Sequence, residues 1–130
     1  MKKVRELIEK NEIEALLITK PENIRYISGF TAGNDAKLLV SGSKKYLFTD
    51  SRYFEQAARE SQGWELVPER ASGNEGLIDI GTHFKKIGVE SHSITYQFYV
   101  ELDKMLKAQV IPLENTIEDL RMIKDDRELA

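Results

Sequence analysis

Residues 37–50 read KLLVSGSKKYLFTD, and this stretch decides what kind of sheet the chain forms. Lys37–Val40 and Tyr46–Thr49 have the apolar, β-branched and aromatic composition of strands, and Ser41-Gly42-Ser43 between them is typical of a turn. Two strands joined by so short a turn pair in antiparallel fashion. The sheet is therefore expected to contain at least one antiparallel pair.

Helical and strand patterns alternate on both sides of this hairpin. Val4, Leu7 and Ile8 are spaced i, i+3, i+4, which predicts an amphipathic helix over the first dozen residues. Asn11 is expected to end that helix in a left-handed conformation. Four more short apolar runs predict strands: Ala15–Ile18, Trp64–Val67, Ile87–Val89 and Gln109–Leu113.

Further helices are predicted from caps and from apolar stripes. A short helical turn is expected at Glu22–Tyr26, with Gly29 breaking it, and Asp50 or Ser51 would cap a helix from Arg52 to about Ser61. The other two helices have these predicted apolar faces: Leu77, Ile80 and Phe84 in one, and Phe98, Leu102, Met105 and Leu106, capped by Thr95, in the other. The pattern predicts an α/β domain with a mixed six-stranded sheet and helices on both faces.

The composition indicates one globular domain of 130 residues, with 41% apolar residues, 32% charged residues and a net charge of −3. A nucleic-acid-binding domain normally carries a basic excess, so no nucleic-acid partner is expected. The longest apolar run, Ala15–Ile18, is too short to span a membrane, and no apolar segment follows the basic N-terminus as in a signal peptide. We therefore expect a cytoplasmic protein without a membrane partner.

The residues needed for a self-contained active site are scarce. The chain has no cysteine and two histidines, which excludes thiolate chemistry and a histidine-rich metal site. Asp79 and His83 are spaced i, i+4, which favours a solvated pair on one helix face, and Glu90 and His92 favour a hydrogen bond at a strand edge. We predict no catalytic residue and no metal ligand in this chain.

Two segments are denser in polar and aromatic residues than a plain scaffold requires: Asn23–Phe30 and Thr49–Tyr53. In the second, Asp50 would favour a helix N-terminus, and Arg52 would pair with a carboxylate. Arg52 is therefore a candidate clamp for a substrate carboxylate, with a structural role at the helix start as the alternative.

The last residues have the pattern of a helix start. Asp125 and Glu128 are spaced as in a capping box, yet only about one helical turn follows before the sequence ends. A single turn does not compensate its nucleation cost in water. We expect residues 125–130 to begin a helix that continues in a longer protein.

Five blocks, in order along the chain, resemble the creatinase-type N-terminal domain that precedes the pita-bread catalytic domain of Xaa-Pro peptidases. The blocks are Asn11–Ile18, Asn23–Phe30, Thr49–Tyr53, Gly88-Val89-Glu90, and Leu120–Lys124 followed by Glu128. The resemblance implies a ribonuclease-H-like three-layer domain over residues 1–124. Residues 125–130 would then start the linker helix into a catalytic domain that this sequence does not include.

The resemblance also implies a function for the longer protein, that of an Xaa-Pro dipeptidase or aminopeptidase. Its catalytic domain would bind two divalent metal ions, such as manganese, cobalt or zinc, through ligands absent from these 130 residues. The present domain would shape the substrate pocket and the interface of a homodimer, and its partners would be its own catalytic domain, a second copy and, through the parent, a peptide. The alternatives are a peptidase-like interaction module without catalysis and the N-terminal domain of a creatine amidinohydrolase.

The segment 30–37 is polar and contains a glycine, so it is expected to be an exposed, mobile loop. In the dimeric peptidases that the chain resembles, the corresponding loop reaches over the partner's active site. The resemblance thus makes the following residues candidates for a position next to the substrate: Phe30, Thr31, Ala32, Gly33, Asn34 and Asp35. Phe30 would form an apolar wall, and Asn34 and Asp35 would face the charged ends of a dipeptide.

Overall fold

A computed structural model of the chain describes residues 1–69, 73–114, 117, 118 and 120. The strands are β1 (Ala15–Ile18), β2 (Ala36–Ser41), β3 (Lys45–Thr49), β4 (Glu65–Pro68), β5 (Lys86–Glu90) and β6 (Gln109–Leu113). The α-helices are α1 (Lys2–Lys10), α2 (Pro21–Ser28), α3 (Phe54–Glu60), α4 (Glu75–Gly81) and α5 (Tyr96–Met105). Two short 3₁₀ helices lie at Gly33–Asp35 and Ser51–Tyr53.

The strands form one mixed six-stranded sheet in the order β4-β3-β2-β1-β5-β6. β2 pairs antiparallel with both β1 and β3, as the hairpin pattern predicted. The other three pairings, β1 with β5, β3 with β4 and β5 with β6, are parallel. The prediction of a mixed α/β sheet is confirmed, and with it the ribonuclease-H-like arrangement that the resemblance implied.

Each face of the sheet has its own hydrophobic cluster, because alternate side chains of a strand point to opposite faces. Leu16 and Ile18 of β1 pack in one cluster with α1, α2 and α3, whereas Leu17 packs in the other with α4 and α5. Helices therefore cover both faces, and the three layers follow from the two apolar faces of the strands. Because the central strands are buried on both sides, they read as continuous apolar runs.

Gly88 of β5 lies where two layers approach closely. A Cβ atom at this position would lie 2.6 Å from Cδ1 of Ile13 and 2.8 Å from Cδ1 of Leu113. Both distances are shorter than van der Waals contact, so the missing side chain lets these two residues pack over β5.

Several helix boundaries differ from the sequence expectation. Asn11 does not adopt the left-handed conformation (φ −90°); Glu12 does so instead, with φ 56°. The left-handed residue that ends α1 therefore comes one position later than predicted. The N–H of Ile13 then donates to the carbonyl of Ile8 at 3.1 Å. The predicted cap at Thr95 is confirmed, since its Oγ1 accepts a hydrogen bond from the Phe98 N–H at 3.1 Å.

The predicted apolar face of α5 is wrong at Met105, whereas Leu77, Ile80 and Phe84 do pack in one cluster, although α4 is shorter than predicted. Met105 is 49% exposed, because α5 ends there and the buried contacts of the last turn are made by Leu102 and Leu106. α4 ends at Gly81, so Phe84 lies beyond the helix and Asp79 and His83 do not form the predicted helix pair. Of the block 120–124 only Leu120 is among the described residues, and the predicted linker helix at 125–130 lies outside them.

Candidate functional site at the carboxyl edge of the sheet

The topology brings the ends of five strands to one edge of the sheet. β1, β3, β4, β5 and β6 all run in the same direction, and only β2 runs in the opposite one. In open α/β sheets, ligands bind outside the carboxyl ends of the parallel strands. Both polar segments singled out in the sequence lie at this edge, since residues 23–30 follow β1 and residues 49–53 begin at the last residue of β3.

The centre of the edge holds a buried carboxyl, that of Glu90 at the end of β5. Glu90 is only 3% exposed, and its Oε1 accepts hydrogen bonds from the backbone N–H groups of Thr19 at 2.8 Å and Lys20 at 3.2 Å. Its Oε2 accepts a hydrogen bond from Nδ2 of Asn23, which is fully buried in α2. The carboxyl therefore joins β5 to the β1–α2 connection.

The same Asn23 side chain links this carboxyl to a second one. Nδ2 of Asn23 also donates to Oε1 of Glu118 at 3.1 Å, and Nζ of Lys20 lies 3.5 Å from that oxygen. Asn23 Oδ1 is buried and has no hydrogen-bond partner within the described part of the chain. One amide nitrogen thus bridges two carboxyl groups that are 28 positions apart in the sequence (118 − 90).

The two carboxyl groups differ in their electrostatics. Burial raises the pKa of Glu90, and hydrogen bonds from Thr19, Asn23 and Lys20 offset only part of this effect; the charge of Glu118 raises it further. Burial also pulls the pKa of Glu118 upward. There, however, the hydrogen bond from Asn23, a backbone hydrogen bond and the Lys20 ammonium outweigh burial, so the pKa of Glu118 is lowered. The pair is therefore arranged so that Glu118 ionises before Glu90.

A second polar cluster lies at the ends of β3 and β4. The Lys37 ammonium pairs with Oε1 of Glu69 at 2.5 Å, and the two side chains are 16% and 1% exposed. Oε2 of Glu69 accepts a hydrogen bond from the Leu77 N–H at 3.0 Å, in the first turn of α4. Next to this pair is an open cleft of about 570 Å³ lined by Asp50, Ser51, Pro68, Glu69 and Glu75.

Arg52 lies at the same edge, next to Asp50 and Tyr53. Its Nε is 3.3 Å from Oδ1 of Asp50, its side chain is 71% exposed, and its guanidinium lies 5.4 Å from the ring centroid of Tyr53. The Asp50 carboxylate also accepts a hydrogen bond from the Arg52 N–H at 2.9 Å, which confirms Asp50 as the helix cap. The observed contacts of Arg52 are those of the structural alternative, and its role toward a substrate carboxylate stays a prediction.

The segment 30–35 is only partly the exposed loop that the sequence predicted. Phe30 is wrong as an outward-facing wall: it is 0% exposed and packs edge-on against Tyr53, with 6.3 Å between ring centroids. Gly33 is also buried, Ala32 is half-buried, and Thr31 and Asn34 are exposed. Asp35 closes the 3₁₀ helix, and its role next to a substrate stays a prediction.

Thr31 is fixed to α3 by a polar network. Its N–H donates to Oε1 of Glu60 at 2.9 Å, its hydroxyl lies 2.9 Å from Oε2, and Nε2 of Gln56 donates to that hydroxyl at 2.8 Å. The hydrogen bond from the Thr31 backbone is the main cause that lowers the pKa of Glu60. The start of the segment is thus held by both a buried aromatic ring and a carboxylate.

Sequence reasoning missed the two carboxyl groups that organise this edge. The sequence pattern favours an edge hydrogen bond between Glu90 and His92, but Glu90 turns inward to Thr19, Lys20 and Asn23, and within the described residues no hydrogen bond joins it to the exposed His92. Glu69 had no assigned role. Their positions could have indicated this role, because Glu90 is the last residue of β5 and Glu69 follows directly after β4, both at the carboxyl edge.

The described residues do not provide a metal centre. Within residues 1–69, 73–114, 117, 118 and 120, no three histidine, aspartate or glutamate side chains are grouped so that they could hold a metal ion. Over the same residues, no helix is long and apolar enough to cross a membrane.

Comparison with known proteins shows which family has this arrangement. The family model described as the creatinase/prolidase N-terminal domain matches residues 1–123. Among curated relatives, the uncharacterized peptidase YqhT of Bacillus subtilis is 33% identical over 99% of the chain and 37% of its own length. The Xaa-Pro dipeptidase of Pyrococcus horikoshii is 31% identical over 99% of the chain and 36% of its own length.

Solved structures agree with the sequence relatives. The N-terminal domain of the cytoplasmic peptidase PepQ from Mycobacterium tuberculosis is 30% identical and superimposes with a TM-score of 0.82, over 91% of this chain and 95% of that one. The chain spans little more than a third of the two curated relatives, but nearly all of this separately solved domain. The chain belongs to the creatinase/prolidase N-terminal domain family.

Proposed function

We propose that this chain is the non-catalytic N-terminal domain of a metal-dependent Xaa-Pro peptidase, either a dipeptidase or an aminopeptidase. The observation that carries the proposal is the family match over residues 1–123, together with relatives that are named Xaa-Pro peptidases and extend well beyond it. The metal ions, which would activate a water to attack the scissile carbonyl, would be held by the rest of the longer protein. The role of this chain is then to position groups around that centre.

The carboxyl edge is the part of the domain best suited to that role. Its polar groups are placed by strand ends and helix starts rather than by free loops, and the Lys37–Glu69 ion pair and the Glu90 hydrogen bonds fix the backbone beneath them. Pre-positioned polar groups limit the ordering that a peptide or a neighbouring domain must undergo on binding. We propose that this edge, with the segment 30–35, faces the substrate pocket and the second subunit of a homodimer.

Buried Phe30 changes how the segment would act. Because its ring is anchored in the core and Thr31 is bound to Glu60, the exposed groups available to a peptide are those of Thr31 and Asn34. In the proposal, Phe30 supports the segment from below and Asp35 supplies the charge toward a free α-ammonium group.

The proposal is tested by the gene that encodes the chain. Its continuation beyond Ala130 is expected to encode, in order, the Asp, Asp, His, Glu, Glu ligand series of a two-metal peptidase. The full-length product should be a dimer by light scattering and should remain in the cytoplasmic fraction, as the word cytoplasmic in the name of the mycobacterial relative suggests. A continuation that lacks the ligand series would contradict the peptidase and would favour an interaction module.

A further inference from the structure

Glu60, the last residue of α3, lies against the start of the segment 30–35. The backbone places it there, because Gly29, which ends α2 with φ 81°, approaches the carbonyl of Glu60 closely. A Cβ atom on this glycine would lie 2.9 Å from that carbonyl oxygen and would displace one of the two helix ends. From this position the Glu60 carboxylate reaches Thr31, the first exposed residue of the segment.

The donors and acceptors of this contact are matched. Oε1 of Glu60 accepts the Thr31 N–H at 2.9 Å, and the Thr31 hydroxyl donates to the carboxylate with 2.9 Å between Oγ1 and Oε2. The hydroxyl oxygen keeps a lone pair for Gln56, whose Nε2 donates to it at 2.8 Å. The ionised carboxylate is the form that accepts all of these bonds, in keeping with the lowered pKa of Glu60, whose main cause is the hydrogen bond from the Thr31 backbone.

The helix that carries Glu60 does not benefit from its charge. A negative charge in the last turn of a helix is disfavoured by the helix dipole, and Glu60 is the last residue of α3. The hydrogen bonds that its side chain accepts come from Thr31, in the segment, and from Gln56, one turn earlier on the helix. The carboxylate thus stabilises the segment rather than α3.

The rest of the segment is held by burial. The ring of Phe30 lies in the core, and Gly33 is buried at the start of the short 3₁₀ helix. A Cβ atom on Gly33 would lie 3.1 Å from the carbonyl oxygen of Pro21, at the beginning of α2. Phe30 and Gly33 are therefore fixed by packing, whereas the exposed Thr31 between them depends on its hydrogen bonds to Glu60.

We propose that Glu60 is a positioning residue, whose carboxylate holds Thr31 and thereby fixes the conformation in which the segment 30–35 meets a bound peptide. The inference deepens the proposed function of the carboxyl edge and rests on it. Without the carboxylate, the peptide would have to order the segment, and this ordering reduces the free energy of binding. Because Glu60 acts through Thr31 on binding, its loss should appear in KM rather than in kcat.

The test is the steady-state hydrolysis of an Xaa-Pro dipeptide by the full-length protein and its variants. Glu60→Met keeps the length of the side chain but has no oxygen to accept the Thr31 hydrogen bonds, so KM should rise about tenfold while kcat stays within about twofold. Glu60→Gln keeps one oxygen for the Thr31 N–H and should recover most of this loss. Glu55→Met, at an exposed position in the first turn of α3, is the matched control and should leave KM unchanged.

Two measurements on the 130-residue chain separate positioning from a general loss of structure. Hydrogen exchange at the Thr31 amide should be about tenfold faster in Glu60→Met than in the unmodified chain, because the hydrogen bond that protects this amide is lost. The urea midpoint of Glu60→Met should stay close to that of the unmodified chain, because the removed charge does not stabilise α3.

The outcomes distinguish this inference from the function on which it rests. A KM of Glu60→Met within about twofold of the unmodified value, or a loss confined to kcat, would overturn the positioning role and leave the proposed function intact. Equal exchange rates of the Thr31 amide in Glu60→Met and the unmodified chain would overturn it as well. No hydrolysis of any Xaa-Pro dipeptide by the unmodified full-length protein would instead overturn the proposed function, and the inference with it.

Discussion

Replacing Lys37 with methionine should destabilise the fold by about 3 kcal/mol, the lower part of the range for removing one partner of a buried ion pair. The Glu69 side chain is 1% exposed, and within the part of the chain that the structure describes its carboxylate would keep the Leu77 N–H as its one remaining hydrogen-bond donor. Methionine preserves most of the volume of the lysine stem, so the loss reports the charge rather than a cavity. The lower part of the range applies because the Lys37 side chain is itself 16% exposed.

A second substitution separates the charge from the packing. Glu69→Gln removes the negative charge but keeps an oxygen that can accept the Leu77 hydrogen bond. In Lys37→Met/Glu69→Gln both charges are gone, so about 2 kcal/mol of the loss should be recovered, because replacing a whole buried pair by neutral groups is often close to neutral. The free energies of unfolding would be measured by urea denaturation followed by circular dichroism.

The exposed ion pair of the same edge provides the control. Arg52→Met removes a partner of Asp50, and the Arg52 side chain is 71% exposed. Exposed ion pairs of this kind contribute about 0–1 kcal/mol to the free energy of unfolding. The reasoning is refuted if Lys37→Met costs no more than Arg52→Met, or if the double variant is less stable than Lys37→Met alone.

Three further outcomes are expected. Gly88→Ala should lower the free energy of unfolding by about 1–3 kcal/mol, because the new methyl group would overpack against the two side chains that cover β5. In the control Gly42→Ala a Cβ meets nothing within 4 Å, so the change, measured like the first by urea denaturation, should stay within about 0.5 kcal/mol. Phe30→Ala should lower the free energy of unfolding by about 3–5 kcal/mol, because the ring is 0% exposed. Tyr96→Ala, at an 82% exposed position, should lower it by about 0.5 kcal/mol or less, and equal losses would contradict the burial of Phe30. Asp35→Ala in the full-length protein should lower kcat/KM for a dipeptide more than for a tripeptide, and a change within about twofold for both, about 0.4 kcal/mol, would make the segment a simple connector.

The parts of the fold that local sequence determines were predictable. The Ser41-Gly42-Ser43 turn predicted the antiparallel pair, and Asp50 and Thr95 were confirmed as caps, because a turn and a helix cap depend on residues that are close in sequence. The correct number of strands followed from apolar runs bounded by turn residues.

Long-range contacts explain what the sequence did not reveal. Glu90 is bound by Thr19 and Asn23, which are 71 and 67 positions away, and no periodic pattern encodes such a pairing. Phe30 is a single aromatic residue beside a polar run, so the local pattern indicated an exposed loop, although the ring is buried in the cluster between the sheet and its helices. The candidate site could thus be located at the right segments, but the side chains that organise it could be assigned only from the folded chain.

The most direct test of the central claim is hydrolysis of an Xaa-Pro dipeptide by two proteins, the isolated 130-residue chain and the full-length product of its gene. Each would be assayed without added metal and with manganese, cobalt or zinc, and circular dichroism would first establish that the isolated chain is folded. Metal-dependent hydrolysis is expected from the full-length protein, and none above background from the isolated chain. Turnover by the folded isolated chain, or no turnover by the full-length protein with any of the three metals, would contradict a non-catalytic domain of a metal-dependent peptidase.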